Sequence, residues 1–343
     1  MQKLTLDKTD LAACRNLLRG GSKSFFAASL LLPPRIKNAA TALYAFCREA
    51  DDLIDLGDDP KEAVLRLTAR LDAAYAGTPA QNPIDRAFAA VVRDKKIPKT
   101  LPAALIEGLA WDSEGRRYQT FESLLDYAAR VAGAVGVMMA LVMGVRDREN
   151  LARAADLGVA MQLTNIARDV GEDARAGRLF LPLDWFAETG MDPEAFLKNP
   201  IFSKQLASMV KKLLDEAEIL YARAESGIAN LPVDCRTGIA AARRIYAAIG
   251  HDVAAQNFDS INRRARVNTG KKLQLALRAA GDAAWLTAGN LQPALPANLF
   301  LLEGAAEDFL APDPRAFIKL LNLFERLERA QRHDLAQASR TLA

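Results

Sequence analysis

Apolar residues recur three and four positions apart along nearly the whole chain, and no stretch alternates convincingly with a period of two. That is the pattern of helices with one buried face, in the absence of a sheet. The spacing predicts helices near 9–19, 24–31, 35–56, 60–75, 83–95, 101–115, 121–145, 148–176, 203–229, 235–266 and 270–289. Punctuation agrees: Asp59-Pro60 opens one segment, Thr100 precedes another, Gly20 closes the first and Pro33-Pro34 breaks a short one, each residue suiting its place at a helix end. After Asn290 the stretch "LQPALPANLF" reads as a linker, followed by a helical tail over 314–338. The expected organisation is all-α, with one main helical unit over 1–290 and a helical extension over 291–343.

Composition changes this picture little. Half of the 343 residues are apolar, enough for a sizeable core. The formal charge of +3 is small and evenly spread, which argues against a nucleic-acid partner. Cys14, Cys47 and Cys235 form no paired motif, and His251 and His333 lie far apart, so a reducing compartment and no zinc site are expected. The N-terminal "MQKLTLDKTD" has no apolar leader, and the longest apolar run, "VAGAVGVMMALVMGV", is shorter than the ~20 residues of a membrane span. A cytoplasmic location is the expectation, with peripheral contact with a membrane left open.

The chemistry lies in two polar stripes. Tyr44, Arg48, Asp51 and Asp55 step by four, three and four within the helical "ALYAFCREADDLID", so one face carries all of them. Gly158, Gln162, Asn165, Asp169 and Asp173 repeat that arrangement in "GVAMQLTNIARDVGEDARAGRLFLP". The remaining faces of this second helix are apolar, with Leu157, Val159, Ala160, Leu163, Ile166 and Val170, and a polar stripe on such a helix belongs in a cavity. A lone D-x-x-x-D is usually a solvated face. Two matched pairs, joined by the amide of Asn165, instead form an oxygen-rich set suited to Mg²⁺, which bridges carboxylates to phosphates.

Other stretches carry two readings. In "GSKSFFAASLLLPP", Ser22 and Ser24 serve as helix caps or offer donors to a phosphate. Phe25 and Phe26 are more often core than ligand wall. The basic "NRRARVNTGKK" is a solvated end on base rates, Arg263 being an exception taken up below. The small residues Ala132, Gly133, Ala134, Gly136, Gly158 and Ala160 either make room for a ligand or let two helices approach closely.

The blocks "GSKSF", "ALYAFCREADDLID", "YAARVAGAVG", "MQLTNIARDVGEDARAGRLFLP" and "IYAAIG" together resemble the squalene/phytoene synthase family. The resemblance implies an all-α prenyl-transferase fold with two aspartate-rich motifs facing across a central cavity. In such enzymes Mg²⁺, with Mn²⁺ as the alternative, sits on carboxylates corresponding to Asp51, Asp55, Asp169 and Asp173, with Asn165 beside them, and holds prenyl diphosphate substrates. By matching positions, Ser22, Ser24, Arg48, Arg168, Arg175, Arg178, Tyr246 and Arg263 are diphosphate ligands, Arg264 being the rival of Arg263. Phe25, Tyr127, Ala132, Val135, Gly136, Gly158, Gln162 and Leu163 line the cavity, and Tyr44 and Arg48 join the aspartates in catalysis. The implied reaction joins two C20 diphosphates head to head through a cyclopropylcarbinyl diphosphate, without NADPH. A C15-using relative and an inert lipid-binding scaffold are the alternatives. Oligomeric state is left open.

Overall fold

A computed structural model describes residues 4, 6–55, 59–282 and 292–306, with the side chain of Asp55 excepted. Among them no strand is present. The helices are α1 (Lys8–Gly21), α2 (Lys23–Ser29), α3 (Pro34–Asp55), α4 (Pro60–Tyr75), α5 (Pro83–Lys95), α6 (Thr100–Ser113) and α7 (Phe121–Ala128). A π turn (Ala129–Gly133) joins α7 to α8 (Ala134–Met143). There follow α9 (Arg148–Arg175), α10 (Leu183–Thr189), α11 (Pro193–Lys198), α12 (Lys204–Asn230), α13 (Val233–Ala255), α14 (Thr269–Asp282), a 3-10 turn (Pro296–Asn298) and α15 (Leu299–Ala305).

Local chemistry sets most of the boundaries. Asp59 and Asn82 accept backbone N–H bonds at the starts of α4 and α5, each followed by proline in the first turn, where its missing N–H costs nothing. Thr120 and Ser123 cap α7 reciprocally. Asp147 caps α9, the longest helix and the centre of the fold, against which α8, the π turn, α12 and α13 all pack. Phe121–Met143 is long and apolar enough to cross a membrane, yet Ala134 and every residue from Val137 to Met143 are buried in the core.

Two glycines fix the approach of α9 to its neighbours. A Cβ at Gly158 would fall 2.2 Å from the Ala132 carbonyl oxygen, and one at Gly136 would fall 2.2 Å from that of Ala154. At these two positions the small residue lets backbones touch, so close packing is the role it fills.

Four expectations are corrected. The helix over 121–145 is interrupted by the π turn. The helix over 235–266 ends at Ala255, because Asn257 and Phe258 adopt φ of 55° and 58° and the chain then crosses α9, where the Gly171 N–H donates to the Ser260 carbonyl at 3.0 Å. Two short helices, α10 and α11, occupy a stretch read as irregular. The linker is packed: Asn298, Leu301 and Leu302 are buried, and Thr100 donates to the Gly304 carbonyl at 3.2 Å. The helical tail over 314–338 lies outside the described residues.

Candidate active site

The upper parts of the two polar stripes share one cavity of about 220 Å³, while Arg48, Asp51, Asp169 and Asp173 lie outside its lining. Tyr44 and Cys47 reach it from α3, and Gly158, Met161, Gln162 and Asn165 reach it from α9. Phe25 enters from α2, Val131 and Ala132 from the π turn, Val135, Gly136, Met139 and Met143 from α8, and Ile239, Ala242 and Tyr246 from α13. The remaining wall is mainly apolar and comes from α9 and α12, as a hydrocarbon site requires. Phe25 stacks on Tyr44 with ring centroids 5.1 Å apart, presenting aromatic surface where a carbocation benefits from it.

The loop "GSKS" joins the first stripe by close approach. A Cβ at Gly21 would fall 2.6 Å from the Tyr44 hydroxyl and 3.3 Å from Arg48 Cδ. Ser22 Oγ accepts from the Phe25 N–H at 3.1 Å and caps α2, while Ser24 is half-buried in the first turn. Arg48 grips its own helix, with Nε donating to Asp52 at 3.1 Å and Nη1 to Asp51 at 3.2 Å. Burial, with Tyr246 as the next contributor, pushes the Tyr44 phenol up to about 12. Burial similarly raises the Cys47 thiol to about 12, so both are protonated at neutral pH.

On the second stripe, Arg168 Nε donates to Asp169 at 2.8 Å. Arg264 donates to Asp169 at 3.0 Å and pairs with Glu172 at 2.9 Å. Arg178 pairs with Asp173 at 3.4 Å, and Arg175 donates to the Ile261 carbonyl at 2.6 Å, pinning the crossing loop that carries Arg264. Tyr246 lies close enough to both Tyr44 and Arg168 to bear on their ionisation, which links the two stripes through α13. Burial raises the Asp173 carboxyl to about 6, offset by Arg178 and reinforced by Asp169 and Glu172.

Among the described residues no three acidic, histidine or cysteine side chains form a ready metal cluster, and the fourth aspartate of the expected cluster, Asp55, has its side chain outside the described residues. Asp51, Asp169 and Asp173 are each held by an arginine. The donor set nevertheless fits a hard divalent cation: every ligand on offer is oxygen, and Asp173 carries a crowded negative charge that a cation would relieve. Asp51, Asp169 and Asp173, with Asn165 nearby, are the residues that would hold it.

Phe25, Ala132, Val135, Gly136, Gly158 and Gln162 line the cavity as expected. Tyr127 and Leu163 do not. Tyr127 is turned to donate to Asp112 at 2.6 Å and stacks on Phe180 with centroids 5.3 Å apart. Leu163, one position and about 100° round the helix from Gln162, is fully buried in the core. Arg264 takes the place expected of Arg263, which is exposed near Asp259. Sequence reasoning also missed Asp52, Glu172, Cys47 and the cavity methionines, although Met139 and Met143 stand at helical spacing and Cys47 is one turn from Tyr44.

An all-helical shell around an apolar cavity, with arginine-braced aspartates further along the two helices that supply Tyr44 and Asn165 to its wall, is the build of a prenyltransferase of the isoprenoid-synthase type. Residues 18–271 match the squalene/phytoene synthase family, and the chain belongs to that family. It is similar to the phytoene synthase of Rhodobacter capsulatus, 50% identical over 314 residues covering 89% of this chain and 93% of that one. The phytoene synthase of Cereibacter sphaeroides is 53% identical over 274 residues, 77% of each chain. Among solved structures, a dehydrosqualene synthase in complex with ligand superposes with a TM-score of 0.74 at 30% identity, covering 81% of this chain and 98% of that one.

Proposed function

We propose that this chain condenses two geranylgeranyl diphosphates head to head to phytoene, as a step of carotenoid synthesis, with Mg²⁺ as its divalent cation. The observation that carries the reading is the 50–53% identity to two phytoene synthases over most of the chain. The cavity wall runs far enough along α9 to accept a prenyl chain of either length. Asn150 and Asn165 both line it and are fifteen residues apart on α9, about 22 Å at ~1.5 Å per residue. With bonds of ~1.5 Å advancing roughly 1.25 Å each, an extended C20 prenyl chain spans about 19 Å and a C15 chain about 14 Å.

The residues on the page divide the work. Arg48, Arg168, Arg178 and Arg264, with Ser22 and Ser24, receive the diphosphates. Their positive charge stabilises the oxygen that gathers charge as the allylic C–O bond of one substrate breaks. A bound divalent cation supplies further stabilisation of the leaving diphosphate. Phe25 and Tyr44 face the resulting carbocation, and the apolar walls exclude water that would quench it. The double bond of the second substrate attacks, and loss of a proton closes a cyclopropylcarbinyl diphosphate. Departure of its diphosphate, rearrangement and loss of a second proton give the 1,1'-linked product, so no reductant is consumed.

Incubation of the purified protein with labelled C20 or C15 diphosphate and Mg²⁺, with and without NADPH, tests the reading. Phytoene from the C20 substrate, independent of NADPH, is the expected result. A C30 product alone from the C15 substrate would replace it with the C15 reading. We also propose a cytoplasmic location with peripheral membrane contact, since the product is wholly apolar; fractionation of cells making the protein tests this.

A further inference from the structure

At the end of the cavity away from the aspartates stands a charged residue that this reaction does not use. Arg153 lines the cavity yet is only 2% exposed. It precedes Asp169 by sixteen residues on α9, about 24 Å along the helix at ~1.5 Å per residue. Its Nη2 lies 3.2 Å from Asp156 and donates to the Pro293 carbonyl at 3.3 Å. Its Nε and Nη1 have no hydrogen-bond partner among the described residues. Asp156 is itself fully buried, accepting from Arg223 at 2.9 Å and from Asn298 at 3.0 Å. The stem of Arg153 lies across Gly227 of α12, where a Cβ would fall 2.3 Å from Arg153 Cβ.

A buried guanidinium with two of its three nitrogens unpaired is a poor stabiliser, and an apolar side chain fills such a place at lower cost. What the arrangement provides is a fixed stop. The stem is wedged between α9 and α12, and the head is tethered from behind by groups that leave the cavity untouched. Its place along α9 is close to where an extended C20 chain would end.

We propose that Arg153 sets the upper limit on prenyl-chain length, with Asp156, Arg223 and residues 293–298 holding it in position. This rests on the prenyl-diphosphate reading above. It also gives a role to a segment beyond residues 18–271, the part that matches the family.

The experiment uses the full chain and reads turnover on the C25 diphosphate relative to the C20 diphosphate, alongside the melting temperature. Arg153→Ala is expected to raise that ratio about tenfold, the discrimination typical of a pocket that gains room for a few carbons. Asn298→Ala, which loosens Asp156 from outside the cavity, raises it less. Arg153→Lys, which keeps the stem, retains the wild-type ratio. A merely structural role would lower the melting temperature and leave the ratio unmoved. An unchanged ratio in Arg153→Ala, or in Asn298→Ala should the first variant not fold, overturns the proposal. A wild-type protein inactive on every prenyl diphosphate would instead overturn the reading beneath it.

Discussion

Gly158→Ala adds one methyl group at the seam between α9 and the π turn. The new Cβ would lie 2.2 Å from the Ala132 carbonyl oxygen, 2.6 Å from its carbon and 3.0 Å from the Gly133 nitrogen. All three are backbone atoms, so no side chain can swing aside, and α9 must withdraw by roughly 1 Å to restore ordinary contact near 3.4 Å. Overpacking costs ~1 to 3 kcal/mol, here at the upper end because both surfaces are rigid. The intrinsic helix preference for alanine over glycine returns up to ~1 kcal/mol. The net loss is about 2 kcal/mol, which for a chain of this size lowers the melting temperature by roughly 3 °C. Gly20→Ala is the matched control: nothing lies within 4 Å of its Cβ, so propensity alone acts and stability is unchanged or raised. Thermal melts of both variants, with turnover on C20 and C15 diphosphates, make the comparison. A stable Gly158→Ala that merely shifts chain-length preference would refute the packing argument and restore the view that this residue makes room for substrate.

Asp51→Asn and Asp169→Asn should each lower turnover by on the order of 10², the scale for losing a preorganised electrostatic group; near-normal rates in either would remove that residue from the site. Arg264→Ala should raise KM for the diphosphate substrate while Arg263→Ala leaves it nearly unchanged, since only the former pairs with Asp169 and Glu172; equal effects would contradict the geometry. Because the Asp173 carboxyl titrates near 6 rather than 3.8, the metal-free fold takes up a proton there that the unfolded chain has already lost. Its stability should therefore decline as pH rises from about 4 to 6, and Mg²⁺ affinity should weaken below pH about 6; Asp173→Asn should abolish both trends, and pH-dependent melts and metal titrations check them.

The long helices and the acidic stripes were legible because each is a local pattern: Tyr44 to Asp55 and Gly158 to Asp173 announce a shared face by spacing alone. The break at Ala129–Gly133 was not, since a π turn needs no proline or cap and Arg130 and Gly133 would sit as readily in an uninterrupted helix. The end of α13 was missed for a related reason. Asn257 and Phe258 take left-handed backbone angles that their residue types do not demand, and the docking of Ser260 onto Gly171 is a long-range event. That docking also decides between Arg263 and Arg264, neighbours that no spacing argument separates. Leu163 was misplaced because the motif block was read whole, although a step of one residue turns a side chain by about 100° around a helix.

The π turn carries a consequence for how such a site can be altered. A single wide turn amounts to one residue more than an uninterrupted α-helix would need. Deleting one residue between Ala129 and Gly133 would let α7 run straight into α8 and rotate one by about 100° against the other. Tyr127 would then leave Asp112, and Val131 and Ala132 would give up their places on the cavity wall, while both aspartate motifs stayed where they are. The chain thus holds one wall of the substrate cavity in a stretch of sequence apart from the aspartates, so a change in length at that wall can reshape what the enzyme accepts without touching how it breaks the bond.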